Sequence, residues 1–269
     1  MAGRGDGTFG PAVRVAMHDG SSPHVHSVVL ADVNADGHLD VLASLVDDHA
    51  LAVLLGDGRG GFTPAHAQPY FAHRHPYMQL NPVDIDGDGH LDVVLTDVRG
   101  NGLTVLAGSG TGMFASTNFR LDTHTPLRAA ERPLACALAD VDGDGDLDAV
   151  AFIDESPQAV VALNDGTGRF VEPDASLIAL AAPCVGGVVT DVTGDGHADI
   201  VASTTMASVV SINPGRGDGT FARAFTVESG GRSAAVAVGD MNGDGRPDLV
   251  VGHFHGGTVA VLLAQPVTD

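Results

Sequence analysis

The stretch Asp84-Ile-Asp-Gly-Asp-Gly-His-Leu-Asp92 decides how this chain is read, because the chain writes it five times. It stands earlier as Asp32-Val-Asn-Ala-Asp-Gly-His-Leu-Asp40 and later over 140–148, 191–199 and 240–248. Successive copies begin 52, 56, 51 and 49 residues apart. That period exceeds a two-helix repeat and matches a four-stranded propeller blade.

The text around each copy repeats as well. A run of small and β-branched residues precedes it, such as Ser27-Val-Val-Leu-Ala31, and a second apolar run follows, such as Val41-Leu-Ala-Ser-Leu45. A third run ends in a glycine-rich turn and a phenylalanine (Phe62, Phe114, Phe170, Phe221), and a more polar fourth run leads into the next copy. Short β-type runs between Gly, Asp and Asn clusters read as antiparallel strands joined by hairpins, and no period of 3.6 appears. The last copy stops at Val259-Ala-Val-Leu-Leu263, while the missing turn and strand open the chain as Gly3-Arg-Gly-Asp-Gly-Thr-Phe9 and Pro11-Ala-Val-Arg-Val15. The expected fold is therefore all-β: a single domain over 1–269, a five-bladed β-propeller closed by its N-terminal strand. Closure removes exposed sheet edges.

Composition narrows the function. At 44% hydrophobic and 17% charged residues the chain can bury a real core. No apolar run approaches the length of a membrane span. A net charge of −21 repels nucleic acid and anionic membrane surfaces, and it calls for a cationic component absent from the polypeptide. Cys136 and Cys184 are too few for a disulfide scaffold, and Cys136 reads as a small buried hydrophobe. The opening MAGRGDGTFG lacks the basic and apolar regions of a signal peptide, so the sequence leaves open a cytoplasmic protein or an exported one whose leader lies outside it.

The repeated loop has the chemistry of a calcium site. Positions one, three, five and nine offer side-chain oxygens, and the glycine at position six permits a sharp turn. These positions are Asp32, Asn34, Asp36 and Asp40; Asp84, Asp86, Asp88 and Asp92; and Asp140, Asp142, Asp144 and Asp148. The last two copies supply Asp191, Thr193, Asp195 and Asp199, then Asp240, Asn242, Asp244 and Asp248. Calcium takes six to eight hard oxygen ligands. The spacing matches the first half of an EF-hand loop, yet no glutamate follows at the twelfth position and no helices flank it. These four positions hold 17 of the 34 acidic residues, and five Ca²⁺ would bring the formal charge from −21 to −11. Thr193 makes the fourth loop the candidate for weakest affinity.

With its Gly-rich turn and phenylalanine, the D-x-[DNT]-x-D-G-x-x-D motif resembles the FG-GAP or VCBS repeats of integrin α-subunit propellers and many bacterial secreted proteins, over essentially the whole chain. The resemblance implies calcium ligands at the first, third, fifth and ninth positions. It adds the backbone carbonyl of the seventh, here His38, His90, Asp146, His197 and Arg246. It also implies a secreted or extracellular setting. Such propellers commonly have seven blades, whereas this sequence supports five.

The calcium loops and phenylalanine turns share one face of such a propeller. The opposite face carries the loops between second and third strands, and three His-x-His pairs fall there: His24/His26, His73/His75 and His253/His255. Asp47, Asp48 and His49 lie on the corresponding loop of the first blade. Imidazole with carboxylate suits a transition metal or proton transfer, and equally suits exposed loop polarity. Arg4-Gly5-Asp6 and Arg216-Gly217-Asp218 fall in the Gly-rich turn, where Gly-Asp-Gly serves backbone geometry. No nucleophile elbow, phosphate loop or zinc-protease motif occurs. The expected function is a calcium-stabilised binding module for a protein or carbohydrate ligand. The alternative is a lyase, cyclase or hydrolase on the histidine-rich face. The absence of Trp and the presence of only two Tyr leave few flat rings for sugars.

Overall fold

The computed structural model describes residues 6–8, 10–12, 14–16, 24–45, 50–65, 70–71, 76–97, 102–120, 132–171 and 177–265. All regular elements among them are β-strands, arranged as five sheets. The chain divides into two compact units, Met1–Asn118 and Phe119–Asp269.

The first unit holds two sheets. One runs β1 (Val25–Ala31), β2 (Asp40–Leu45), β3 (Ala50–Gly56), β4 (Phe62–Pro64), with β5 (Tyr70–Phe71) also on β3. The other runs β6 (Pro76–Val83), β7 (Asp92–Asp97), β8 (Gly102–Gly108), β9 (Phe114–Arg120). Each aspartate loop joins the first strand of a sheet to the second, as the sequence predicts. β4 and β5 together make the expected fourth strand in two pieces, pairing with opposite ends of β3. Leu42, Leu51 and Val53 of the first sheet pack with Leu80, Val93 and Leu95 of the second in one core.

The second unit holds three sheets. The first runs β10 (Pro133–Ala139), β11 (Asp148–Ile153), β12 (Gln158–Asn164), β13 (Phe170–Val171), with β14 (Leu177–Ala179) beside β12. The next runs β15 (Cys184–Thr190), β16 (Asp199–Thr204), β17 (Val209–Asn213), β18 (Phe225–Glu228). The last runs β19 (Ser233–Gly239), β20 (Asp248–His253), β21 (Val259–Leu262). The sequence predicts a fourth strand here from Pro11-Ala-Val-Arg-Val15. The described residues of that stretch belong to no strand, and the fifth sheet has three strands among the described residues.

The sheets of this unit pack face to face. Phe152 on β11 is fully buried against the next sheet, where a Cβ on Gly187 would stand 2.7 Å from its ring. Only glycine leaves that space, so a small residue opposite a large one sets the spacing. Burying such a side chain contributes about 1.5–3 kcal/mol. Val201, Val210 and Ile212 pack in turn against Leu249 and Val251 of the fifth sheet. A backbone bond ties neighbouring sheets in each unit at one repeat position. The Gly112 amide donates to the Val33 carbonyl (3.3 Å), and the Gly219 amide donates to the Val141 carbonyl (2.9 Å). Cys136 and Cys184 are buried and not disulfide-bonded, and burial pushes the Cys184 thiol up to about 12, leaving it unreactive.

Candidate functional site

The loops begin with a bond the sequence does not announce. In all five copies the ninth aspartate is buried and accepts two backbone amides that flank it in space. Its Oδ2 accepts from the loop's second residue: Val33 (2.9 Å), Ile85 (3.0 Å), Val141, Val192 and Met241 (2.9 Å each). Its Oδ1 accepts from the end of the third strand or just beyond: Gly56, Asn164 and Gly215 (2.8 Å), Gly108 (2.6 Å) and Ala264 (2.7 Å). Asp40, Asp148, Asp199 and Asp248 are 0% exposed and Asp92 is 1% exposed. Each therefore clamps the loop to the far side of its own sheet.

The remaining oxygens are organised by local bonds. The first aspartate accepts the amide of the sixth-position glycine in every copy, from 2.8 Å at Gly37 to 3.0 Å at Gly145. The fifth accepts the amide of the seventh residue, from 2.8 Å at His38 and His90 to 3.0 Å at Arg246. The third accepts the amide of the fifth at Asn34, Asp86, Asp142 and Asn242. Thr193 makes no such bond, so the fourth loop departs from the pattern where the sequence marks it as weak. Oxygens of Asp84, Asp86 and Asp88 lie within 4.8 Å of one another, as do those of Asp140, Asp142 and Asp148. Asp84 Oδ1 is buried without a hydrogen-bond partner. An orphaned buried carboxylate oxygen facing two other carboxylates fits a hard divalent cation, so these donors suit calcium.

At the seventh position the side chain packs on the Gly-rich turn. A Cβ on Gly58 or Gly110 would stand within 2.5 Å of the His38 or His90 ring, and both glycines have positive φ. Arg216 and Asp218 are bound within their own turn, Arg216 to the Phe221 carbonyl (2.5 Å) and Asp218 to Thr220 (2.6 Å). This Arg-Gly-Asp is accounted for by the turn.

Burial pushes Asp148 up from 3.8 to about 6, with two amides opposing and the charges of Asp142 and Asp144 adding. Burial also raises Asp92 and Asp142. A raised pKa means that the folded state holds its proton more tightly. Stability contributed by Asp148 is therefore gained as pH falls through about 6 toward 3.8 and lost above about 6. Asp36, Asp240 and Asp244 are lowered by hydrogen bonds, from Asn34, Gly245 and Asn242 foremost, so the stability they contribute is fully present above 3.8 and is lost only as pH falls below it. Metal-free protein should thus melt a few degrees higher at pH 5 than at pH 7.5, and calcium should reverse the trend. A metal-free melting temperature that rises from pH 5 to pH 7.5 removes the assignment.

Histidines on the other face separate into different roles. His253 Nε2 donates to the Ser229 carbonyl (2.7 Å), so Nδ1 accepts from the Thr258 hydroxyl (2.8 Å), and both nitrogens are engaged. His255 instead stacks edge-on with Phe254 at 5.7 Å. The His24 and His26 rings lie 4.6 Å apart. His73, His75, Asp47, Asp48 and His49 lie outside the described residues.

His255 lines a cleft of about 280 Å³ in the second unit, at the ends of β11, β16 and β20 remote from the aspartate loops. Six-residue strands separate the two sites by about 17–20 Å. Asp154 and Glu155 of the third sheet's repeat, Arg232, Phe254 and His255 of the fifth's, and Met206 and Val185 of the fourth's line it. One backbone bond recurs in all three sheets: the amides of Asp154, Thr205 and Phe254 donate to the carbonyls of Arg132 (2.8 Å), Pro183 (3.1 Å) and Arg232 (2.9 Å). Arg132 pairs with Asp154 at 3.0 Å. Arg232 Nε donates to the Thr205 carbonyl (2.6 Å), and its Nη2 lies 3.1 Å from Met206 Sδ. Glu155 holds φ at 52°, left-handed backbone that a non-glycine residue seldom adopts outside functional turns.

A family profile described as FG-GAP-like repeat matches residues 84–151 and 191–251, taking in four of the five aspartate loops. The chain is an FG-GAP repeat protein. The FG-GAP chain is similar in structure to an Agrocybe aegerita lectin, studied for its specific recognition of non-reducing terminal N-acetylglucosamine. That likeness has a TM-score of 0.57 at 22% identity, over 89% of this chain and 66% of the lectin. A second similar structure is the V. cholerae biofilm matrix protein Bap1, with a TM-score of 0.48 at 17% identity, over 88% of this chain and 36% of that one. The chain thus spans just under two thirds of the lectin chain and about a third of Bap1. No curated protein matches the sequence. The likeness to the lectin supports a β-propeller fold for this FG-GAP protein.

Sequence reasoning singled out only His255 among the residues of the cleft. Asp154, Glu155, Arg232 and Phe254 sit in loops that differ from repeat to repeat, so no periodicity marks them. The available signal was their shared end of the sheets, Asp154, Glu155 and Phe254 between second and third strands and Arg232 just before a first strand.

Proposed function

We propose that this FG-GAP protein is a calcium-stabilised, five-bladed propeller, acting outside the cell, that binds a protein or carbohydrate on the face opposite its calcium loops. The observation that carries the calcium reading is the unpartnered, buried Asp84 Oδ1 among the converging carboxylates of Asp84, Asp86 and Asp88. Loops of this kind suit an exterior setting, where calcium is abundant enough to fill sites of modest affinity. Bound calcium would draw the loop oxygens together and cancel their mutual repulsion; the polypeptide's own part is the clamp and the local bonds that preform the site. Calorimetric titration of metal-stripped protein with CaCl₂ tests this, with about five sites expected. The absence of any binding heat, together with an unchanged melting curve, sinks it.

Exposed apolar positions at the two ends of the sheet series support ring closure. Val210 and Ile212 are 0% and 4% exposed because the fifth sheet covers them. Their repeat equivalents Val259 and Val261 are 65% and 50% exposed. Val236 and Val238 pack on the fourth sheet, whereas their equivalents Val28 and Leu30 on β1 are 57% and 55% exposed. In a closed ring these two faces cover one another, and 11–15 completes the fifth blade. Val28→Asp and Val259→Asp should then each cost about 2–4 kcal/mol, read as a lowered melting temperature. Effects within about 0.5 kcal/mol, the usual range for surface changes, would exclude closure by these faces.

Support for a small ligand comes from the cleft of the second unit. A carbohydrate is the ligand that the lectin's recognition of N-acetylglucosamine agrees with.

A further inference from the structure

We propose that the cleft bounded by Asp154, Glu155, Arg232 and Phe254 binds a single neutral pyranose at the end of a glycan, an inference that rests on the binding-module reading above. A pyranose presents a face of C–H groups and a rim of hydroxyls, each of which both donates and accepts. The cleft offers the complement of both. Phe254 is 60% exposed and Met206 66% exposed, an unusual outlay of apolar surface for two adjoining loops. Glu155 supplies acceptor oxygens. Arg232 supplies donors whose position is fixed by the Thr205 carbonyl, so little side-chain freedom remains to be lost on binding.

Charge and size narrow the class. Arg132 already neutralises Asp154, which leaves Glu155 and Arg232 as opposite charges lining one cleft. An anionic sugar would meet Glu155 within a chain of net charge −21, and a cation would meet Arg232. A neutral polyol uses both. At about 280 Å³ the cleft falls at the lower limit of small-ligand sites and has room for one ring rather than several. An extended peptide would instead want a free strand edge, whereas the backbone lining this cleft is tied up by the recurring bonds to Arg132, Pro183 and Arg232.

The test uses the full calcium-loaded chain. Methyl glycosides of glucose, galactose, mannose and N-acetylglucosamine, with methyl glucuronide as the anionic comparator, are measured by saturation-transfer NMR and calorimetry. A displayed peptide library is screened in parallel. At least one neutral glycoside should bind, and Phe254→Ala and Glu155→Gln should each weaken it about tenfold or more while the melting temperature stays unchanged. Because Phe254 and Glu155 are exposed, both variants keep the core intact. Binding of the glucuronide alone, or binding indifferent to Phe254→Ala, overturns the assignment. So does a peptide that binds and is lost in Phe254→Ala, although that outcome keeps the binding-module reading. If neither sugars nor peptides bind, both fall together.

Discussion

Removing calcium with EDTA should lower the midpoint of thermal unfolding by about 20 °C or more, and calcium rather than magnesium should restore it. A site held at a hundred times its dissociation constant adds about 2.7 kcal/mol to folding stability, so several sites together reach about 10 kcal/mol. For a chain of this size one kcal/mol moves the midpoint by about 2–4 °C. Electrostatics point the same way. Asp84, Asp86 and Asp88 converge within 4.8 Å in one loop and Asp140, Asp142 and Asp148 in another, and without a cation each group repels itself. Magnesium demands octahedral geometry and gives up its water reluctantly, so a loop offering four side-chain oxygens and a carbonyl favours calcium. The fourth loop should release its ion first, because Thr193 offers a hydroxyl where Asp86 and Asp142 offer carboxylates. Differential scanning calorimetry at fixed ionic strength separates this effect from general screening of a chain carrying −21. An unchanged midpoint in EDTA would mean that the loops stand without metal.

How far the sequence was legible depends on whether a feature repeats. The aspartate loops, the apolar strand runs and the phenylalanine turns recur at a fixed offset, and all five sheets appear where that recurrence placed them. Even Thr193 showed in the sequence as an exception and in the structure as a missing bond. The fourth strand was only half legible: it is continuous as β9 but broken in two at β4 with β5 and at β13 with β14. The cleft was legible only through His255. Asp154 and Glu155 come from one repeat and Arg232 and Phe254 from another, their equivalent backbone positions carry no common set of side chains, and only folding brings them together. His253 illustrates the converse, since its pairing with His255 suggested a shared role that the Ser229 and Thr258 bonds divide.

The ninth aspartate holds the other large effect. A reading from sequence takes it as a fourth calcium ligand, which predicts that it matters only when metal is bound. The structure gives it a second duty that needs no metal. Asp199 accepts the amides of Val192 and Thr193 at 2.9 Å each through Oδ2 and the amide of Gly215 at 2.8 Å through Oδ1. Asp199→Ala removes a charged acceptor and strands three amides at a fully buried position, so it should cost about 3–5 kcal/mol. That corresponds to roughly 10 °C in the melting temperature. Asp199→Asn keeps one acceptor oxygen but turns an NH₂ toward amides that also donate, and should fall between alanine and wild type. The decisive comparison is with Asp195→Asn in the same loop, whose Oδ1 accepts only the His197 amide at 2.9 Å. Measured in calcium, both substitutions should destabilise. Measured in EDTA, Asp195→Asn should become nearly silent while Asp199→Ala retains most of its cost, because the clamp persists when the ion is gone. If the two variants lose their effects together in EDTA, the ninth aspartate is a ligand and nothing more, and the five buried clamps do not hold these sheets together.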